Sequence, residues 1–175
     1  MNITGLTIRQ EHPEDYGQVD ALVRASFATA EHCDGDEADY LKDLRKKDGF
    51  IPALTLVAAL EDKRIVGQIT LTKMQINTPQ GARAQLLLSP LCVHPDFFRQ
   101  GIARASTETA LEKARQMGYG AVFLCGDPAI YRRLGFVPSY EMDIYHVKDR
   151  HAEWSMAREL APGALRGTRG TIDII

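Results

Sequence analysis

The sequence predicts a mixed α/β fold: a mostly antiparallel central sheet of about six to seven strands, one parallel strand-helix-strand crossover, and about four flanking helices. Three observations predict it. Three strand-like segments between Leu54 and Val93 are joined by the short turns "DK" and "NTPQGA", connections that suit antiparallel neighbours. The last of them runs through "FRQG" into a helical pattern and then into the apolar run "YGAVFLC", which is the order of a crossover. Two helical patterns precede the strands, and alternating apolar segments follow them.

Residues 6–10, "LTIRQ", read as a short strand. Pro13 with Glu14 and Asp15 opens a helix whose apolar positions Val19, Leu22, Val23 and Phe27 recur at helical spacing. A second helix is expected from Asp36 to Lys47, with Tyr40, Leu41 and Leu44 on one face and "KKDG" as its stop; "EHCDGDE" before it is a polar loop. The segments "LTLVAALE", "RIVGQITLTKMQI" and "RAQLLLSPLCV" form the meander. Pro90 lies inside the third and has no N–H for a ladder, so pairing there should be interrupted or splayed on one side.

A helix from Gly101 to Met117 should turn Ile102, Ala110, Leu111, Ala114 and Met117 inward, with Gly118 just past its end. "YGAVFLC" then runs parallel to the Leu86–Val93 strand. Asp127 as N-cap and Pro128 at the first position start a short helix through Leu134, ended by Gly135. "FVPSYEMDIYHV" and "EWSMAREL" read as a closing hairpin, and "APGALRGTRGTIDII" as a Gly-rich tail ending in a small strand.

The 175 residues fit a single domain, 1–175, with no internal repeat. Apolar residues at 45% and charged residues at 25% describe a globular chain. Lys plus Arg number 21 against 23 Asp plus Glu, a balance with no electrostatic footprint for nucleic acid. The clusters Arg45–Lys46–Lys47 and Arg132–Arg133 read as solvated helix faces. No apolar stretch approaches the roughly 20 residues of a membrane span, and "MNITGLTIRQ" lacks a signal-peptide pattern, so a cytoplasmic protein without membrane partners is expected. Cys33, Cys92 and Cys125 are odd in number and far apart, which suggests neither disulfides nor a metal site. Cys92 and Cys125 read as small buried hydrophobes and Cys33 as an exposed thiol.

The turn "FRQGIARAS" carries the chemistry. A strand that enters a helix through small residues leaves the first helical N–H groups unpaired under the positive end of the helix dipole. Gly101 and Ala103 would let a pyrophosphate come within hydrogen-bonding range of the amides of Arg99, Gln100, Gly101, Ile102 and Ala103, with Arg99 adding a charged contact. The opposing reading is that small residues merely let the helix pack tightly. A Walker loop is absent because no Lys follows Gly101, and a dinucleotide fingerprint lacks its third glycine. A broken strand beside an anion-binding turn suits a pyrophosphate with a long polar arm, the shape of coenzyme A.

The segment "LSPLCVHPDFFRQGIARA" resembles the acyl-CoA-binding motif of the GNAT-type N-acetyltransferase superfamily: Arg or Gln, two residues, Gly, one residue, then Gly or Ala. Gly101 and Ala103 match, while Phe98 stands at the leading position. "GDPAIYRRLGF" is similar to the family segment with a tyrosine four residues before Gly-Phe, and Tyr131, Gly135 and Phe136 occupy those places. The likeness is greatest to a bacterial subgroup of acetyltransferases carrying "GDP" before that tyrosine. It implies an acyl-CoA N-acyltransferase fold, acetyl-CoA as cosubstrate, and direct transfer of its acetyl group to a primary amine of a small molecule or peptide. The implied cofactor-binding residues are Leu91, Cys92, Val93, Phe98 to Arg104 (Phe98, Arg99, Gln100, Gly101, Ile102, Ala103, Arg104), Tyr131 and Arg133. A homodimer through the last strands is the oligomer the resemblance allows. The alternative is a noncatalytic acyl-CoA-binding regulatory module.

Acyl transfer to an amine needs a neutral amine, a polarised carbonyl and a proton for the leaving thiolate. Tyr131, with a phenol pKa near about 10, is the candidate proton donor; its other reading is a wall for the cofactor arm. Glu37 is the candidate general base, against a reading as a first-turn helix residue favoured by the dipole. His94 reads as a surface turn residue. Asp34, Asp36, Glu37 and Asp39 together would attract a cationic amine or stay solvated. Cys92 lacks an activating base for a covalent route. Trp154 packs in the closing hairpin or walls the acceptor, and Arg132 and Arg133 reach cofactor phosphate or solvent.

Overall fold

Strand β1, Thr7–Gln10, pairs antiparallel with β2, Phe50–Ala59, from Thr7 opposite Ala59 to Gln10 opposite Leu56. This computed structural model describes residues 3–28 and 35–175. The chain divides into two compact units, Met1–Leu71 with Ser89–Ala110, and Thr72–Leu88 with Leu111–Ile175. Nine strands are present among the described residues, hydrogen-bonded in the order β1, β2, β3, β4, β5, β8, β6, with β9 paired to both β3 and β7.

In the first unit, α1 (Tyr16–Phe27) and α2 (Glu37–Leu44) bury Val19, Leu22, Val23, Ala38, Leu41 and Leu44 against Val57, Ala59, Ile65 and Cys92. Ala58, the residue between Val57 and Ala59, belongs to a second cluster with Val66, Val93 and Ile102. The alternation puts apolar residues on both faces of the end of β2, which is why Leu56 to Ala59 form a continuous apolar run. Glu11 accepts two bonds from Arg45, at 2.7 and 3.0 Å, and Arg45 also lies 4.0 Å over the Tyr16 ring. Arg45 therefore closes the end of α2 onto the chain after β1; only Lys46 and Lys47 of that basic cluster form an exposed face.

Strands β3 (Ile65–Thr78) and β4 (Gly81–Val93) and helix α3 (Ile102–Gln116) each pass through both units. In the second unit, β5 (Ala121–Cys125) pairs parallel with β4 at Leu86–Val122 and Leu87–Phe123, as the crossover requires. On its other side β5 pairs antiparallel with β8, Ser155–Glu159, over its full length. The core here gathers Met74, Ile76, Phe123, Ile144, Leu165, Ile172 and Ile174.

Two expectations are corrected. Met117 is 48% exposed, because α3 ends at Gln116 and Gly118 at φ 90° turns the chain away. The closing hairpin is not one: "FVPSYEMDIYHV" splits into β6 (Val137–Pro138), a 3-10 turn (Ser139–Met142) and β7 (Ile144–His146). Only β6 pairs with β8; Asp143, at φ 61°, redirects the chain so that β7 pairs parallel with β9, Gly170–Ile172.

Candidate functional site

The β4–β5 ladder occupies Leu86 and Leu87, before the position where Pro90 removes a donor. The Ser89–Pro90 peptide is cis, and the strand continues extended to Val93. Two bonds within the first unit fix its end: Ser26 Oγ donates to the Val93 carbonyl at 2.7 Å, and the His94 amide donates to Val66 at 2.8 Å. His94 Nδ1 then accepts from the Asp96 amide at 3.2 Å, capping a 3-10 turn, the turn role its "HP" context suggests.

The turn that follows holds Arg99 at φ 60° and Gly101 at φ 83°. The first backbone bond into α3 runs from the Ala105 amide to the Gly101 carbonyl at 3.0 Å, so the amides of Gly101 to Arg104 precede the helical ladder. Alternating left-handed residues turn successive N–H groups to one concave side, the geometry that receives anionic oxygens. A Cβ built on Gly101 meets no protein atom within 4 Å. Gly101 is thus required by its backbone angle and faces open space. The glycine that packing requires is Gly67 on β3, where a Cβ would lie 2.8 Å from Ile102 and 3.1 Å from Ala58. Ile102, 1% exposed, seats the first turn of α3 against that glycine. Phe98 is half exposed, Arg99 and Arg104 are exposed, and Ala103 is partly covered.

Tyr131 and Arg133 belong to the second unit. Asp127 Oδ1 accepts from the Ala129 amide at 2.8 Å and starts α4, Pro128–Tyr131, which continues as a 3-10 turn to Leu134 and ends at Gly135 with φ 84°. The Tyr131 ring stands edge-on to Phe136, centroids 6.0 Å apart, and lies against Gly126. Residues 153 and 154 hold both ends of this segment: the Gly126 amide donates to the Trp154 carbonyl at 2.9 Å, and Arg132 donates to Glu153 at 2.9 Å. Glu153 also accepts from the Tyr140 hydroxyl, which pushes that phenol above its usual pKa and holds the carboxyl below its own. Arg132 is thereby engaged by a carboxylate. Trp154 packs edge-on to buried His146, centroids 4.6 Å apart.

Glu37, the first residue of α2, is half-buried, and Asp36 before it is exposed. Asp39 is drawn instead into surface ion pairs with Arg24 at 3.5 Å and Lys42 at 3.4 Å, so it is not held for an incoming cation. Cys33 and Asp34 lie outside the described residues. Cys92 is buried and its thiol is pushed up to about 12 by burial, which leaves no thiolate at neutral pH. Cys125, partly buried, is pushed up to about 11 by the same cause.

The family profile described as an acetyltransferase (GNAT) domain matches residues 7–139. The N-acetyltransferase YhbS of Escherichia coli (strain K12) is 33% identical over 175 residues, covering 96% of this chain and 95% of that protein. The crystal structure of E. coli YhbS, a GNAT family N-acetyltransferase in complex with CoA, superposes with a TM-score of 0.83 at 27% identity over 100% of this chain and 92% of that one. A GNAT family acetyltransferase from Brucella melitensis, solved with acetyl-CoA, shares the fold with a TM-score of 0.76 at 20% identity, covering 97% and 96%.

Proposed function

This chain belongs to the GNAT acetyltransferase family, and we propose that it transfers the acetyl group of acetyl-CoA to a primary amine of a small molecule or peptide, using residues 1–175 as one acyltransferase domain. The observation that carries the reading is Gly101: a left-handed residue ahead of the α3 ladder that faces open space. The amides of Arg99 to Ala103 take the pyrophosphate of the donor, whose charge also suits the positive end of the 15-residue helix α3. Phe98 offers no charged group at the head of the motif, so backbone donors carry the contact. Backbone groups of Leu91, Cys92 and Val93 receive the pantetheine arm and the thioester oxygen, and Arg104 and Arg133 contribute positive charge toward the phosphates.

Transfer proceeds by direct attack. The neutral amine nitrogen bonds to the thioester carbon, the carbon–sulfur bond breaks, the amine gives up its proton to a base, and the CoA thiolate takes one from Tyr131. Glu37 is the base in this reading. The protonated state of Cys92 disfavours a covalent acetyl-cysteine route.

The test is release of CoA thiol from acetyl-CoA by the purified full chain across a panel of primary amines and amino-terminal peptides, with the acetylated product identified by mass. Turnover on at least one amine, reduced in Tyr131→Phe, is the expected result. Tight acetyl-CoA binding without turnover on any amine favours the noncatalytic module instead.

A further inference from the structure

The second unit contains a cavity of about 350 Å³ that the acetyl-transfer reading does not use. It lies where the turn after β3 meets β7 and β9. Arg150, Arg169, Tyr145, Asn77 and Thr171 line it, and no carboxylate does. In a chain of net charge −2, a cavity whose ionised lining groups are all guanidinium is an uneven use of charge. Neither Arg150 nor Arg169 has an ion-pair partner among the described residues.

Asp143 organises both sides of the cavity. Its Oδ1 accepts from the Tyr145 hydroxyl at 3.0 Å, and its carbonyl accepts from the Gly170 amide at 3.2 Å. The first bond fixes the ring on which Arg150 is stacked, 3.8 Å from the centroid; the second fixes the start of β9, which carries Thr171 and which Arg169 immediately precedes. Gly170 makes that placement achievable, because a Cβ there would run into the Asn77 carbonyl and lie 3.0 Å from Ile76. The Arg150 guanidinium is therefore held in place ahead of any ligand, which lowers the ordering cost of binding, while Arg169 is an exposed side chain that can close onto the ligand.

We infer that this cavity is a binding site for a small oxyanion, a phosphate or a carboxylate, received by Arg150 and Arg169 with Thr171 and Asn77 as neutral partners. A planar guanidinium presents paired N–H donors that match either group. The site is independent of acetyl transfer and stands or falls separately from it.

The experiment is a two-dimensional NMR titration of the full chain, first with inorganic phosphate and then with succinate. Shifts of the Gly170 and Thr171 amides and of the Arg150 and Arg169 Nε–H signals are expected to saturate with one dissociation constant. The better of the two probes identifies the preferred group. Affinity should fall at least about tenfold in the Arg150→Gln, Arg169→Gln double variant; Arg169→Gln alone, at an exposed position, gives the same direction if the double variant folds poorly. Shifts that do not saturate, that are confined to the Arg99 to Ala103 amides, or that survive both substitutions overturn the inference.

Discussion

Gly126 and Tyr131 share one space: a Cβ on Gly126 would lie 2.7 Å from Cδ2 of the Tyr131 ring. The glycine of "GDP" is thus the floor on which the tyrosine rests. Phe136 bounds the ring from another side and Asp127 starts the helix that carries it. Tyr131→Phe keeps that packing and removes only the hydroxyl; kcat should fall by about 10²-fold with the KM for acetyl-CoA unchanged. Gly126→Ala displaces the ring and should reduce kcat comparably while leaving the hydroxyl present. An unchanged kcat in Tyr131→Phe removes the residue from the chemistry.

Gly67 and Gly101 separate packing from ligand binding. Gly67→Ala presses on Ile102 and should lower stability by about 1–3 kcal/mol, read as a shift in denaturant midpoint. Because Ile102 seats the first turn of α3, acetyl-CoA affinity should weaken as well. At Gly101 a Cβ meets open space but a non-glycine residue must hold φ 83°, so Gly101→Glu should cost about 1–2 kcal/mol through backbone strain alone and weaken acetyl-CoA binding more than Gly67→Ala does.

Cys92 is set by burial rather than reactivity. Since burial raises the folded thiol to about 12, its contribution to stability is complete below the unfolded thiol pKa of about 8.5 and is lost as pH rises from there toward about 12. Cys92→Ala should therefore flatten the alkaline part of the stability profile, retain turnover, and show no acetyl-cysteine to be lost from the wild type by mass spectrometry.

At the acid end, Asp15 accepts from Arg9 at 2.7 and 2.9 Å and from the His12 amide at 2.8 Å, and the Arg9 guanidinium foremost holds its carboxyl below the usual range. A depressed carboxylate stabilises above the unfolded pKa of about 3.9 and loses that contribution as pH falls below it. Arg9→Gln should therefore lower stability most above about pH 4, with the difference from the wild type shrinking as pH falls below that, measured as denaturant midpoints by circular dichroism across pH.

The contrast between Gly101 and Gly67 shows what a sequence discloses. Gly101 sits between a strand and a helix, where local rules demand a left-handed residue and an unpaired helix start, so the turn was legible. Gly67 lies inside an apolar strand, and nothing local reveals that Ile102 will descend on it. The Glu11–Arg45 pair joins residues 34 apart, and the charge run around Arg45 looks like any exposed helix face. The pairing of β7 with β9 depends on Asp143 adopting φ 61°, which its neighbours do not announce. The Asp127 cap, the Pro128 start and the Gly135 stop were all readable because each acts within one helical turn.

The most direct test of the account is calorimetric titration of the purified full chain with acetyl-CoA, repeated on Gly101→Glu and with ATP as a comparison ligand. Saturable acetyl-CoA binding, weakened at least about tenfold by Gly101→Glu and absent for ATP, is the expected result. Absence of acetyl-CoA binding, or binding indifferent to Gly101→Glu, would contradict it and leave the turn at residues 98–103 without a ligand.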